Sequence, residues 1–124
     1  MIGFGQNVNI PDANFKAYLV GDSFINTNGD SEIQVSEATA FNGSINCSNM
    51  NIADLTGVED FTALANLECA DNLLNALDVS NNISLTGLRC YRNNISALDV
   101  SNNTLLNQLI CAENQLTILD VSFN

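Results

Sequence analysis

The side chains in this sequence that could do chemistry are carboxylates, thiols and hydroxyls. The 124 residues include 14 acidic side chains and four cysteines but no histidine. Catalysis by imidazole and metal sites that use histidine are therefore excluded. An acid and base pair would have to come from carboxylates, such as Glu68 with Asp71 or Glu113 in glycoside hydrolysis. That chemistry needs a deep pocket, which a shallow surface of short strands does not offer, so we predict a protein that is not an enzyme.

The segment from Asn26 to Glu37 carries oxygen ligands at a spacing that resembles the twelve-residue calcium loop of an EF-hand. The residues at the first, third, fifth, seventh, ninth and twelfth places are Asn26, Asn28, Asp30, Glu32 through its carbonyl group, Gln34 and Glu37. Two departures weaken the pattern, because Asn26 replaces the usual Asp and Ser31 replaces the Gly of the sharp turn. The loop is therefore either a weak calcium site or a connector between two helices.

The four cysteines mark a repeat. They are Cys47, Cys69, Cys90 and Cys111, spaced by 22, 21 and 21 residues, and the apolar residues around them keep the same offsets. The shared pattern is L-x-C-x-x-N-x-[LI]-x-x-L, and Met50 takes the Asn position in the first repeat. An even number of cysteines suggests disulfides. Thiols in one column, roughly 4.8 Å apart with nearly parallel Cβ vectors, instead favour a ladder of buried, reduced thiols.

Strand geometry explains the pattern. Residues two apart on a strand share a face, so we predict that Leu88 and Cys90 point inward while Arg89 and Tyr91 point outward. The pattern resembles the leucine-rich repeat. The resemblance implies an α/β solenoid with one short parallel strand per 21–22 residue repeat, about three to four turns over residues 44–124 and an uncapped C-terminal end.

Two further positions of the repeat have predicted roles. Three residues after the cysteine stand Asn72, Asn93 and Asn114, whose amides would satisfy backbone groups where the chain leaves the strand. In the "LDVS" segments that follow, Val79, Val100 and Val121 would face inward on the return side of each coil.

The first 43 residues have a helical pattern instead. Pro11 and Asp12 mark a helix start, and Phe15, Tyr18 and Leu19 share one helical face. A second short helix is predicted from Val35 to Phe41. We expect residues 1–43, with the EF-hand-like loop at 26–37, to form a cap that covers the open apolar end of the solenoid.

The segment "IPDANFKAYL", the helix-loop-helix and "INCSNMNIADLTGVEDFTALANLECADN" together resemble the cap and first repeats of internalin-type proteins. The cysteine-containing "LDVS" repeats resemble those of secreted proteins of Bacteroidetes-type bacteria. The resemblance implies a secreted or cell-surface location and a role in cell adhesion or protein recognition. The sequence begins without a charged-then-apolar leader, as a trimmed mature chain would.

The outward residues of the predicted sheet are the candidate ligand-binding site. They are Glu68, Ala70, Asp71, Arg89, Tyr91, Arg92, Ile110 and Glu113. Tyr and Arg are enriched where binding energy concentrates, so this surface would bind a protein or a glycan. The alternative is that the two arginines only neutralise the acidic residues on neighbouring strands.

Charge and hydropathy limit the other partners. A net charge of −11 repels nucleic acid, and no apolar run is long enough for membrane insertion. Another reading is a structural spacer or assembly segment, in which two copies pair as a homodimer through their open C-terminal ends.

Overall fold

The computed structural model describes residues 5–124 and contains two short helices followed by a four-stranded sheet. The helices are α1 (Ala13–Gly21) and α2 (Val35–Ala40), and the strands are β1 (Ser44–Asn46), β2 (Asn66–Glu68), β3 (Gly87–Arg89) and β4 (Gln108–Ile110). All strands are parallel and lie in chain order, one per coil. This architecture confirms the predicted leucine-rich repeat solenoid. None of the helices among residues 5–124 has the length and apolar character that a membrane crossing requires.

The strand register stacks equivalent residues of each repeat on one another. Ile45 pairs with Leu67, Leu67 with Leu88, and Leu88 with Leu109. The side chains of Ile45, Leu67 and Leu88 are fully buried. The cysteine that stands two residues after each of these is fully buried as well. Burying an aliphatic side chain of this size stabilises a fold by about 1.5–3 kcal/mol. The L-x-C pattern therefore builds the core.

The helices close one end of this core. Helix α1 begins after Asp12, whose carboxylate accepts the backbone N–H groups of Asn14 and Phe15 at 2.9 and 3.0 Å. Its second oxygen accepts the N–H of Ala53 at 2.9 Å, which ties the helix to the first coil. Phe15 and Leu19, on the predicted face, are fully buried. The predicted cap starts at residue 1, and its first four residues lie outside the described part of the chain.

The free edge of β1 is covered by the same helix. The backbone N–H of Asn46 donates to the hydroxyl oxygen of Tyr18 at 3.0 Å. An edge N–H group that is bonded in this way cannot pair with a further strand.

At the opposite end of the solenoid, the exposure of Val121 differs from the prediction. Val79 and Val100 are fully buried as predicted, but Val121 is 51% exposed. The difference has a simple cause: an inward side chain is covered by the next coil, and in the described residues no coil follows the one that carries Val121.

Candidate functional site

A column of asparagines, buried at Asn72 and Asn93 and partly buried at Asn114, fixes the backbone that leaves the strands. The Asn93 amide group donates to the carbonyl oxygens of Cys69 at 3.0 Å and Cys90 at 3.1 Å, and its oxygen accepts the N–H of Leu74 at 3.0 Å. Asn72 and Asn114 make the corresponding bonds one coil before and one coil after. The predicted role of these residues is therefore seen at all three positions.

The residues just before these asparagines have an unusual backbone conformation. Asp71, Arg92 and Glu113 have φ angles of 52°, 53° and 53°. Residues other than glycine rarely adopt this left-handed region. The chain turns sharply at each of these positions, and the three charged side chains lie in one column beside the sheet.

Two arginines link the outward side chains of neighbouring strands. Arg89 donates to a carboxylate oxygen of Glu68 at 3.1 Å on one side and to the amide oxygen of Gln108 at 2.9 Å on the other. Arg92 lies between Glu113 and Asp71. Its Nε is 3.1 Å from a carboxylate oxygen of Glu113, and its Nη1 is 3.6 Å from a carboxylate oxygen of Asp71. Each arginine therefore spans three coils.

Tyr91 lies between the two arginines in the sequence and is partly exposed. The guanidinium carbon of Arg92 is 5.9 Å from the centroid of the Tyr91 ring, within the range of a cation–π contact. The ring and the guanidinium group form one connected outward surface.

The structure brings seven of the eight predicted ligand-binding residues to this outward surface, and we call them the sheet face. They are Glu68, Asp71, Arg89, Tyr91, Arg92, Ile110 and Glu113. The prediction for Ala70 is wrong, because its side chain is only 1% exposed. A methyl group is too short to rise above the neighbouring coils, whereas the equivalent Tyr91 is long enough to reach solvent.

The sheet face carries little net charge. Of the 14 acidic and three basic residues in the chain, three acidic and two basic residues lie on this face. Eleven acidic residues and Lys16 lie elsewhere, and Lys16 is ion-paired with Glu32 at 2.8 Å. An acidic partner would therefore meet little electrostatic repulsion at the sheet face, despite the net charge of −11 of the chain.

In the loop of residues 26–37, the carboxylates are used for hydrogen bonds. One oxygen of Glu37 accepts the N–H groups of Thr27 at 2.8 Å and Asn28 at 3.2 Å, and the other accepts that of Gln34 at 3.0 Å. The carboxylate of Asp30 accepts the amide groups of Asn28 and Gln34. The twelfth residue of the loop thus ties its two ends together.

The first residue of the loop is held in the same manner. The amide group of Asn26 donates to the carbonyl oxygens of Val20 at 3.0 Å and Asp30 at 2.7 Å. Within residues 5–124, no group of three or more His, Cys, Asp or Glu side chains is placed to hold a metal ion. A calcium ion would compete with the hydrogen bonds of Asp30 and Glu37, whereas the side-chain oxygen of Asn26 is buried and accepts no hydrogen bond. Calcium binding stays a prediction.

The thiols are placed for packing rather than for chemistry. Cys47, Cys69 and Cys90 are buried, Cys111 is partly exposed, and none of these four forms a disulfide in the described structure. Burial raises the pKa of Cys47 and of Cys90 to about 12. Thiols of this kind carry almost no thiolate at neutral pH, so they are poor nucleophiles.

Sequence reasoning missed a second column of asparagines, on the return side of the coils. The amide group of Asn82 donates to the carbonyl oxygens of Val58 at 2.8 Å and Phe61 at 3.0 Å. Asn103 and Asn124 make equivalent bonds on the next two coils. Their spacing of 21 residues was the signal that could have revealed them.

Comparison with known proteins finds similarity to internalins. No family model matches the sequence. Internalin J of Listeria monocytogenes serotype 4b is 40% identical over 73 residues, which are 58% of this chain and 8% of internalin J. The solved functional domain of InlJ from Listeria monocytogenes, which includes a cysteine ladder, has a TM-score of 0.83 and 36% identity.

The chain covers only part of the length of these relatives. The match to the InlJ domain covers 100% of this chain but only 28% of that domain. The Listeria monocytogenes internalin InlF shares the fold, with a TM-score of 0.79 at 21% identity over 97% of this chain and 35% of that one. The chain thus spans 28% and 35% of these two solved relatives and 8% of internalin J.

Proposed function

Because this chain is a bacterial, internalin-like leucine-rich repeat protein, we propose that it is a non-enzymatic recognition module whose sheet face binds a partner. The partner is a protein or a glycan, and the location is secreted or at the cell surface, in a role such as adhesion. The similarity to internalin J supports the protein class, and the geometry of the sheet face supports the position of the binding surface.

The observation that carries this proposal is the preformed group of Arg89, Tyr91 and Arg92. Each guanidinium group is already held by acceptors on both neighbouring coils. A partner then does not have to immobilise a free side chain, which costs about 0.5–1.5 kcal/mol for each long side chain in an interface. Aromatic and arginine side chains at the centre of a face are also the types that dominate binding energy.

The same geometry argues against glycoside hydrolysis. That reaction needs two carboxyl groups in different environments, one of which keeps its proton. Glu68 and Asp71 instead each face an arginine on an open surface. This supports the non-enzymatic part of the proposal.

An array experiment tests the proposal. The chain would be applied to a panel of extracellular protein domains and a panel of glycans, next to a Tyr91→Ala, Arg92→Ala double variant. A matched control, Ile83→Ala with Leu105→Ala, removes exposed side chains outside the sheet face. We expect the sheet-face variant to lose the signals while it keeps the wild-type circular dichroism spectrum and melting temperature.

Two results would overturn the proposal. One is equal loss of binding in the control variant. The other is a sheet-face variant that binds normally but melts at a clearly lower temperature, which would mean that the arginines serve only as cross-strand ion pairs.

A second candidate function, a structural spacer or assembly segment, rests on the last coil. Its apolar side chains are exposed, with Ile118 at 81% and Phe123 at 62%. Contiguous exposed apolar side chains commonly mark contact surfaces. If two copies pair through this coil, light scattering will show a dimer that Ile118→Ser with Phe123→Ser converts to a monomer.

A further inference from the structure

An open cavity of about 620 Å³ lies between the cap and the first strand, beside the sheet face. Its volume is in the range of small-ligand pockets. The lining residues that matter here are Asp22, Phe24, Glu37, Phe41, Gly43 and Ser44, and we call this space the cap cavity.

Two phenyl rings form the apolar part of the cap cavity. Phe24 is 83% exposed, so the fold gains little from its burial. The ring of Phe41 packs edge-on against Phe61, with centroids 6.3 Å apart. Its other contact is Gly43, where a Cβ atom would lie 2.9 Å from Phe41 Cζ. Glycine at this position therefore lets the ring lie against the backbone and keep its place in the cavity wall.

The polar part of the cap cavity is acidic. Asp22 is held by the backbone N–H of Phe24, which donates to its carboxylate at 2.9 Å. Glu37 is fixed by the N–H groups described above, and no basic side chain lines this cavity in the described residues. Lys16, the one basic residue of the cap, is already paired with Glu32 at 2.8 Å. The charge that would complement the two carboxylates must therefore come from a partner.

Carboxylates beside aromatic rings are the environment that suits a cationic side chain. The carboxylates attract the charge, and a ring face adds a cation–π contact. A neutral or acidic group would gain neither contribution.

The cap cavity also adjoins the sheet face. Ser44, the first residue of β1, lines both the cap cavity and a smaller cavity that contains Glu68 and Arg89. A segment that lies across the sheet face can therefore reach the cap cavity without leaving the surface.

We propose that the cap cavity binds a lysine or arginine side chain of a protein partner that lies along the sheet face. The proposal deepens the proposed function and rests on it, because it selects a protein over a glycan and gives the chemistry of one contact.

The probes for a test are the capped tripeptides Gly-Arg-Gly and Gly-Lys-Gly, with Gly-Gln-Gly as the neutral comparison. Binding is followed by NMR shifts of the Gly43 and Ser44 amides and of the Phe24 and Phe41 rings. We expect the cationic peptides to shift these signals in a saturable way, at least tenfold more tightly than the neutral one.

Matched variants separate the cap cavity from the general negative charge of the protein. Asp22→Asn and Phe24→Ala are expected to weaken binding at least threefold. Two control variants make the same changes outside the cap cavity. Asp54→Asn is matched to Asp22→Asn, because the Asp54 carboxylate also accepts a backbone N–H from the residue two positions later. Phe123→Ala is matched to Phe24→Ala, because Phe123 is also an exposed phenylalanine. Both controls are expected to bind as the wild type does.

The proposal is overturned if the neutral peptide binds equally well, if no peptide shifts the cavity signals, or if Asp54→Asn weakens binding as much as Asp22→Asn. The Tyr91→Ala, Arg92→Ala variant should bind the cationic tripeptides normally. The tripeptide experiment therefore measures binding at the cap cavity alone. Its failure would count against the cap cavity proposal and not against the proposed function of the sheet face.

Discussion

The side-chain amide of Asn93 donates a hydrogen bond across 3.0 Å to the main-chain oxygen of Cys69 on the preceding coil. The same side chain also bonds to Cys90 and Leu74. The two carbonyl oxygens have a second donor in Asn72 and Asn114, whereas the Leu74 N–H has no other partner. Each buried polar group left without a partner costs about 1–3 kcal/mol. This makes Asn93 a main determinant of how the coils stack.

We predict that Asn93→Ala lowers the free energy of unfolding by about 2–4 kcal/mol, because it leaves the buried Leu74 N–H without a partner and removes two further hydrogen bonds. The neighbouring Asn94 is exposed, so Asn94→Ala is the matched control and should change the stability by less than about 0.5 kcal/mol. Urea unfolding followed by circular dichroism measures both values. Equal losses in the two variants would contradict the role given to Asn93.

The inner parts of the fold followed from the sequence because one repeat period specifies them. Leu88 and Cys90 had to share a face, and Asn93 had to satisfy the turn after them. The spacing of 21 residues marks Asn82 as a repeated position, but its bonding partner was not evident, because an Asn pair after "LDVS" is typical of a local turn. Only the stacking of the coils shows that its amide reaches Val58 on the preceding coil.

The sequence predicted which outward residues of the candidate site lie side by side, but not how far each of them is exposed. The register placed Arg89 beside Glu68, as the strand period required. Side-chain length then decided exposure, which is why Tyr91 reaches solvent and Ala70 does not. The cap cavity depends on where a loop and a helix meet, and no sequence period describes that relationship.

The thiols should differ greatly in reactivity. Cys111 is partly exposed, whereas burial raises the pKa of Cys47 and of Cys90 to about 12 and that of Cys69 well above its usual value. We predict that a maleimide at pH 8 labels Cys111 at least about a hundredfold faster than the other three, because only thiolates react. Mass spectrometry of digested samples measures the rates.

Two controls make the thiol test decisive. Cys111→Ser should abolish the fast labelling, and the unfolded chain should take up four labels. Fast labelling of Cys69 in the folded protein would show that the inner thiols are not buried.

Asp78 should titrate at an unusually low pH. The hydroxyl of Ser80 donates to its carboxylate at 2.6 Å, and this bond, together with the Ser80 N–H at 2.9 Å, lowers the pKa of Asp78. We predict that Ser80→Ala raises the pKa of Asp78 toward 3.8, its ordinary value, without reaching it, since the N–H donor remains. Carboxyl-carbon NMR during a pH titration measures the shift.

The lowered pKa of Asp78 makes the stability of the fold depend on pH. A carboxylate whose pKa is lower in the folded state stabilises the fold above pH 3.8, and the contribution is lost as the pH falls through the folded value. The stability difference between the wild type and Ser80→Ala should therefore shrink below pH 3.8. Asp99 makes the same contact with its own serine backbone and should keep its pKa in this variant. An unchanged Asp78 would refute the assignment.

Calcium binding to the loop of residues 26–37 competes with hydrogen bonds that already close the loop. Glu37 would have to release Thr27 and Asn28, and Asp30 would have to release Gln34. We therefore expect a dissociation constant no tighter than about 1 mM, at the weak end of calcium loops. Calcium at 10 mM would then stabilise the fold by at most about 1.4 kcal/mol, a rise of no more than a few degrees in melting temperature.

The variant Asn26→Asp sharpens this test, because it restores the usual first ligand while it removes the amide that donates to Val20 and Asp30. Without calcium it should melt below the wild type, since a buried carboxylate replaces a donor. With calcium it should regain more stability than the wild type does. Asn94→Asp, at an exposed position of the repeats, is the control and should show only the wild-type response. If 10 mM calcium changes the melting temperature of none of these proteins, the loop is a connector held by the hydrogen bonds of Asn26, Asp30 and Glu37.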